Sequence, residues 1–183
     1  MSSRNRELWW SVAIAGAVTA VYLLAYRQQG AFPAASGLVG HGIGVLGFIL
    51  MLLAETLYSI RKRLTDARWG STAAWLRSHI VMGLVGPYMV LLHTSIKFQG
   101  LAGLAMLLTG VVVVSGVAGR YLYTRLPRQS GAGQGDTAAV GRLAAQRGVL
   151  ATWRSFHVPL TWVLFAIALV HVLAALYYAT LQR

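Results

Sequence analysis

The stretch SHIVMGLVGPYMVLLH, residues 78–93, decides the fold because both of its histidines, His79 and His93, lie within an apolar run and are fourteen positions apart. The same spacing recurs in HVPLTWVLFAIALVH, which runs from His157 to His171. At about 100° per residue, fourteen steps of an α-helix return to within roughly 40° of the starting direction, so each pair shares one helix face. At about 1.5 Å per residue, the two histidines lie roughly 21 Å apart along the axis, within a bilayer core of about 30 Å.

The composition indicates a membrane protein. Of the 183 residues, 57% are hydrophobic and 11% are charged, and the mean hydropathy is +0.61. A water-soluble domain carries about a quarter charged residues. The chain is therefore predicted to be an all-α, integral membrane helical bundle. It has no cysteine, which excludes disulfides and any cofactor that the chain would hold through sulfur of cysteine.

Five apolar segments predict five transmembrane helices in a single domain, residues 1–183. The predicted helices run at about 8–26, 36–60, 78–96, 101–123 and 156–181. The first segment is longer than the apolar run of about 7–15 residues in a cleaved signal peptide, so it is expected to be retained as a helix.

The longest connection between these segments covers residues 124–155. Its Gly-rich part, SGAGQGD at 130–136, lacks a preceding strand and the spacing of a phosphate-binding loop, so it is predicted to be a flexible linker. Residues 137–150 carry apolar side chains at helical spacing together with two arginines. This part is expected to lie on the membrane surface or to cover a cofactor near it.

The basic residues predict the orientation of the helices. Thirteen of the sixteen Lys and Arg fall before the first segment, between the second and third, or between or at the ends of the fourth and fifth. The positive-inside rule then places the N-terminus in the cytoplasm and the C-terminus outside, in a bacterial inner membrane. This asymmetry explains the net charge of +12. The sequence has no basic stripe along a soluble helix, so nucleic-acid binding is not favoured.

With this topology the third and fifth segments cross in the same direction. His79 then pairs with His157 near the cytoplasmic surface, and His93 pairs with His171 near the outer surface. Two levels of paired imidazoles suit two stacked haems, each with histidine on both axial positions and no covalent attachment. Zinc is a poor competitor because two histidines per level fall short of its usual four ligands. The sequence therefore predicts two b haems that carry electrons across the membrane.

Small residues on the third segment are candidates for making room for the flat porphyrin. Gly83 lies one turn after His79, and Gly86 lies seven residues from both His79 and His93, midway between the predicted haems. The alternative is ordinary packing of small residues between membrane helices.

Three cations near the paired histidines are candidate partners of the haem propionates. Arg77 and Arg154 stand two and three residues before the cytoplasmic histidines, and Lys97 stands four residues after His93. Each is equally explained as an anchor of a helix end at the membrane surface.

Two further polar residues lie in the second segment. His41 is expected near the level of the outer haem. There it is a candidate for binding a quinone headgroup, for accepting a quinol proton or for contacting a propionate. The alternative is an interfacial histidine bonded to backbone or water. Glu55 is the only acidic residue within a membrane segment. An ion pair with Arg61 is favoured for it over a proton-transfer role at a quinone site.

The two H-x13-H stretches resemble the four-helix dihaem core of quinol-oxidising cytochromes b and the transmembrane domains of ferric reductases and NADPH oxidases. The resemblance covers mainly the third and fifth segments, with the second to fourth as frame. The chain carries no flavin- or nicotinamide-binding segment after the last helix and no PEWY-type motif. The resemblance thus implies an electron-carrying core that exchanges electrons with quinone or with a cytochrome c, iron–sulfur or flavoprotein subunit of a respiratory complex.

Three alternatives remain at this point. The first is the core of a metal or quinone reductase that works with a separate flavoprotein. The second is a structural anchor whose haems hold a larger complex together. The third is a small transporter that uses its histidines for protons and binds no haem, although it would have Glu55 as its only intramembrane acid.

Overall fold

The computed structural model describes residues 5–63, 70–125 and 137–181, and the regular secondary structure in these ranges is helical. Its five helices are α1 (Arg6–Gln29), α2 (Leu38–Arg63), α3 (Thr72–His93), α4 (Gly100–Arg125) and α5 (Thr137–Leu181). Each contains a span long and apolar enough to cross a membrane. The predicted all-α fold with five membrane-length helices is confirmed.

The apolar side chains of these helices lie mostly on the outside. In the most apolar part of each helix, between 6% and 28% of the residues are buried. Leu38, Val114 and Trp162, for example, are 93%, 70% and 64% exposed. Contact with lipid tails removes the hydrophobic penalty that water would impose on such a surface, so the outside of these helices suits a bilayer.

The chain divides into two compact units, Met1–Met106 and Leu107–Arg183. In the first unit α3 packs against both α2 and α1. The buried apolar residues of this three-helix contact are Tyr22, Ile43, Val85 and Met89. The hydroxyl groups of Thr19 and Tyr88 add a hydrogen bond between α1 and α3.

Both ends of α3 differ from the predicted range 78–96. The helix begins at Thr72 because the Ser71 side chain accepts a hydrogen bond from the N–H of Ala74 at 3.2 Å, which caps the first turn. It ends at His93 because Ser95 and Ile96 take positive φ angles of 48° and 62°. The third helix therefore lies six residues earlier at its start and three residues earlier at its end than predicted.

The predicted connection 124–155 is helical from Thr137 onward, because α5 already begins there. The helical spacing at residues 137–150 is confirmed as helix, and it runs without interruption into the membrane-length part of α5. The 45 residues of α5 give a length of about 67 Å, more than the roughly 40–45 Å of a bilayer with its headgroups. The predicted linker at 130–136 lies outside the described residues.

Candidate functional site

Both histidines of α3 are held by backbone carbonyl groups of α2. Nδ1 of His79 lies 2.8 Å from the carbonyl oxygen of Ala54, and Nδ1 of His93 lies 2.9 Å from that of Gly40. A carbonyl oxygen can only accept a hydrogen bond, so Nδ1 of each imidazole carries the proton. A neutral imidazole has one N–H, and Nε2 of each ring is then left with its lone pair.

The two acceptors repeat the spacing of the histidines. Ala54 and Gly40 lie fourteen positions apart on α2, as His79 and His93 do on α3, and the order is reversed because the helices are antiparallel. The contacts of both rings with one neighbouring helix confirm that His79 and His93 share a helix face. This part of the site could not be found from the sequence, because every residue carries a carbonyl group.

Glycine at position 44 allows α2 to approach the outer histidine of α3. A Cβ atom on Gly44 would lie 2.6 Å from Cγ and 2.7 Å from Nδ1 of His93. Gly44 is one turn from Gly40, whose carbonyl holds the same ring. The His93 imidazole therefore depends on a glycine for its place against α2 as well as on a carbonyl for its orientation.

Each of these histidines also has an aromatic neighbour on α2. The ring centroids of Tyr58 and His79 are 5.1 Å apart with an interplanar angle of 43°. Those of His41 and His93 are 6.4 Å apart with an angle of 68°. His41 is exposed, and this contact places it at the level of His93.

In the second unit, His157 has the same two kinds of neighbour. Its Nδ1 lies 3.2 Å from the hydroxyl oxygen of Ser115 on α4. The indole of Trp153 stacks on the imidazole with centroids 5.0 Å apart and an interplanar angle of 23°. Trp153 lies one turn before His157 on the same helix, a spacing that sequence reasoning could have used. His171 is half-buried on α5, fourteen positions further on.

The two candidate glycines of α3 have different surroundings. Gly86 is buried against α2, where its Cβ would lie 2.8 Å from the carbonyl oxygen of Gly47 and 2.9 Å from Cγ of Met51. This contact favours helix packing, the alternative stated above, as the reason for a glycine at 86. A Cβ on Gly83 would meet no atom within 4 Å, so that position has open space beside it.

The three candidate cations, Arg77, Arg154 and Lys97, are all exposed. Arg77 lies on α3 and Arg154 on α5, each within one turn of His79 or His157. Lys97 lies in the turn after α3, where its backbone N–H donates to the carbonyl of Thr94 at 2.9 Å. Their positions suit a membrane surface and leave both interpretations of these cations open.

The structure gives Glu55 and Arg61 other partners than the ion pair between them that the sequence favours. The Glu55 carboxylate accepts a hydrogen bond from the Ser59 hydroxyl at 3.2 Å, one turn along α2. The Arg61 guanidinium donates to the carbonyl oxygen of Gly70 at 2.8 and 3.2 Å. Glu55 and Arg61 are six positions apart, and side chains at that spacing point to different faces of a helix.

Among the described residues, no three His, Cys, Asp or Glu side chains form a group that could hold a bare metal ion. A haem needs fewer protein ligands, because the porphyrin supplies four of the nitrogen atoms around the iron. Comparison with protein-family models, curated proteins and solved structures found no match.

Proposed function

We propose that this chain carries electrons across a membrane through two b haems, one held by His79 with His157 and the other by His93 with His171. The equal spacing of the two pairs and the parallel direction predicted for α3 and α5 support this pairing. The apolar exterior of the five helices suits the bilayer setting that the proposal requires.

The observation that carries the proposal is the pair of contacts that the α3 histidines make through Nδ1 with carbonyl oxygens of α2. Hydrogen bonds from Nδ1 to the carbonyls of Ala54 and Gly40 leave Nε2 of His79 and His93 as a lone-pair donor. Iron in proteins is bound by one nitrogen of a neutral imidazole while the other nitrogen donates a hydrogen bond. The residues present therefore fit a haem, which supplies one-electron chemistry when bound.

The chain's own part in this function is to hold and tune the cofactors. The Nδ1 hydrogen bonds orient the imidazoles and raise their basicity as ligands. The apolar helix surfaces exclude water, which affects haem potential. Two histidines would hold each haem, and an iron held in this way would supply electron transfer rather than oxygen activation.

Donor and acceptor belong to the same proposal. Electrons are exchanged with quinone or with a protein partner such as a cytochrome c, an iron–sulfur protein or a flavoprotein, in an inner membrane with the N-terminus in the cytoplasm. Support comes from the predicted charge asymmetry and, for quinone, from the exposed His41 beside His93.

The first experiment is a pyridine haemochrome assay with a reduced-minus-oxidised spectrum on the detergent-purified chain, expressed with haem supplied. Two b haems per chain with low-spin bands are expected. A single haem would contradict the paired assignment. No haem in a folded preparation would overturn the proposal and favour the proton-transporter alternative.

The second experiment separates electron transfer from the anchor alternative. His93→Leu should lose one haem and abolish electron transfer across vesicles that contain an electron acceptor, because the outer half of the path is missing. His41→Leu is the comparison for haem content alone, since it changes a histidine on the neighbouring helix that is not an assigned haem ligand and should leave both haems bound. A complex that assembles and turns over normally with His93→Leu would support an anchor instead.

A further inference from the structure

The surrounding residues fix the position of the Trp153 side chain, and the assignment of the histidines as haem ligands does not explain why. The residue is half-buried, and its indole N–H donates to the backbone carbonyl of Ser115 at 2.8 Å. Gly119, one turn further along α4, lies so close that a Cβ there would collide with the indole ring. The position of the Trp153 ring is thus fixed by a hydrogen bond on one edge and by a glycine that makes space for it.

The same ring covers one face of the His157 imidazole. With an interplanar angle of 23° and a centroid distance of 5.0 Å, this contact is more nearly parallel than those of His41 with His93 and of Tyr58 with His79. A second restraint on His157 is the Ser115 hydroxyl at Nδ1, 3.2 Å away. One residue of α4 therefore holds both the histidine and the ring that stacks on it.

Two restraints of this kind define the plane of an imidazole. A hydrogen bond at Nδ1 opposes rotation of the ring about its bond to the chain, and a fixed flat neighbour opposes tilting of the same ring. A lipid-facing tryptophan needs neither Ser115 nor Gly119, as the 64% exposed Trp162 on the same helix illustrates. The arrangement is specific to Trp153.

We propose that Trp153 is a positioning residue that fixes the imidazole plane of His157 and so tunes the haem that His157 binds. This inference rests on the proposed function. The angle between the two axial imidazole planes sets the energies of the iron d orbitals, and it is read directly from the g values of the ferric low-spin signal. The electron-rich face of the indole also favours the ferric state, because it lies against a ligand that carries part of the positive charge.

The test compares four variants of the full chain in detergent, with haem content, ferric electron paramagnetic resonance spectra and redox titration as measurements. Trp153→Leu removes the ring, and Gly119→Ala displaces it without altering Trp153 itself. Both should shift the largest g value of one of the two ferric signals and raise the potential of that haem, with the other haem unchanged. Trp153→Phe retains a flat ring but lacks the N–H that donates to Ser115, so it should shift the signal less than Trp153→Leu does.

Trp162→Leu is the matched control, because it removes an exposed tryptophan from the same helix and should change neither signal. Unchanged g values and potentials in Trp153→Leu, with two haems still bound, would overturn the inference and leave the proposed function intact. An equal shift in Trp162→Leu would overturn it as well. Wild-type chain that binds no haem would overturn both proposals.

Discussion

At the scale of single residues, the candidate site depends on which group hydrogen-bonds to Nδ1 of His79, His93 and His157. His79 and His93 donate to backbone carbonyls, whereas His157 faces a hydroxyl group that can donate or accept. A carbonyl imposes one protonation state on the ring, and a hydroxyl permits either. The fold therefore holds His79 and His93 in the form that a haem iron would bind, whereas His157 would take that form only together with a rotation of the Ser115 hydroxyl.

Removal of the Ser115 hydroxyl is expected to weaken the binding of one haem. Ser115→Ala leaves Nδ1 of His157 without its described partner on α4 but keeps the carbonyl that holds Trp153. Loss of a hydrogen bond to a metal-binding histidine costs about 10–100-fold in affinity. Haem transfer to apomyoglobin measures this loss directly.

The control for that variant is Ser155→Ala, whose hydroxyl donates to the carbonyl of Thr152 on the exposed side of α5. Its haem affinity should equal that of the wild type. Equal affinities for Ser115→Ala and Ser155→Ala would show that the hydroxyl does not support a ligand.

A single methyl group at position 44 is expected to displace His93. Gly44→Ala places Cβ at 2.6 Å from Cγ of the imidazole, closer than nonbonded carbon atoms approach. We expect a chain that retains one haem and has lost or loosened the other, measured as haem per chain after purification.

Gly42→Ala is the matched control on the same helix, since a Cβ there would meet no atom within 4 Å. It should bind two haems. Two tightly bound haems in Gly44→Ala would mean that His93 is not a ligand in the orientation described.

At the scale of helices, α2 and α3 pack closely where Gly47 of α2 faces Gly86 of α3. The carbonyl oxygen of Gly47 faces Gly86 and that of Gly86 faces Gly47, with each hypothetical Cβ 2.8 Å from the opposite oxygen. Close approach of backbones is the usual means by which membrane helices associate, because lipid provides no hydrophobic drive between them. The same approach brings the carbonyls of Ala54 and Gly40 within reach of the α3 histidines.

Gly86→Ala is therefore expected to lower the free energy of unfolding by about 1–3 kcal/mol, as overpacked cores do. Reversible unfolding in mixed detergent, followed by circular dichroism, measures the change. Gly16→Ala on α1, where a Cβ would meet nothing within 4 Å, should leave the stability unchanged or slightly raised. Equal stability of the two variants would contradict the close packing of α2 and α3.

At the scale of the whole molecule, the described residues form a set of helices with apolar exteriors and polar groups placed at a few points. Burial within the spans is at most 28%, so most of the helix surface is left for lipid or for neighbouring subunits. The helix α5, at about 67 Å, is too long to lie within a bilayer of about 40–45 Å unless part of it projects beyond the headgroups. Because α5 begins at Thr137, we expect the projecting part to be its N-terminal end, which the charge pattern assigns to the cytoplasm.

The topology can be tested with single cysteines, because the chain has none of its own. Ser36→Cys, before α2, should react with a membrane-impermeant maleimide in intact spheroplasts. Thr124→Cys, at the end of α4, should react only after permeabilisation. Both side chains are exposed, so the difference reports the side of the membrane. The reverse labelling pattern would overturn the predicted orientation.

The sequence by itself determined the features that depend on local periodicity. Apolar runs of about twenty residues predict membrane helices wherever they occur, and a fourteen-residue spacing places His79 and His93 on one face of any α-helix. The apolar spacing at residues 137–150 likewise indicated helix. The ends of α3 and the start of α5 were less accessible, because a cap at Ser71 and the left-handed backbone of Ser95 depend on how the chain turns.

Only the tertiary structure decided which groups surround the histidines. Every residue of α2 has a carbonyl group, and docking of α2 against α3 selects Ala54 and Gly40 as the acceptors. The same docking assigns Gly86 to helix packing, whereas its central position between the histidines had suggested a place for the porphyrin. Side-chain periodicity is a property of one helix, but a hydrogen bond between helices depends on their separation and register. Those are set by which small residues meet across the contact.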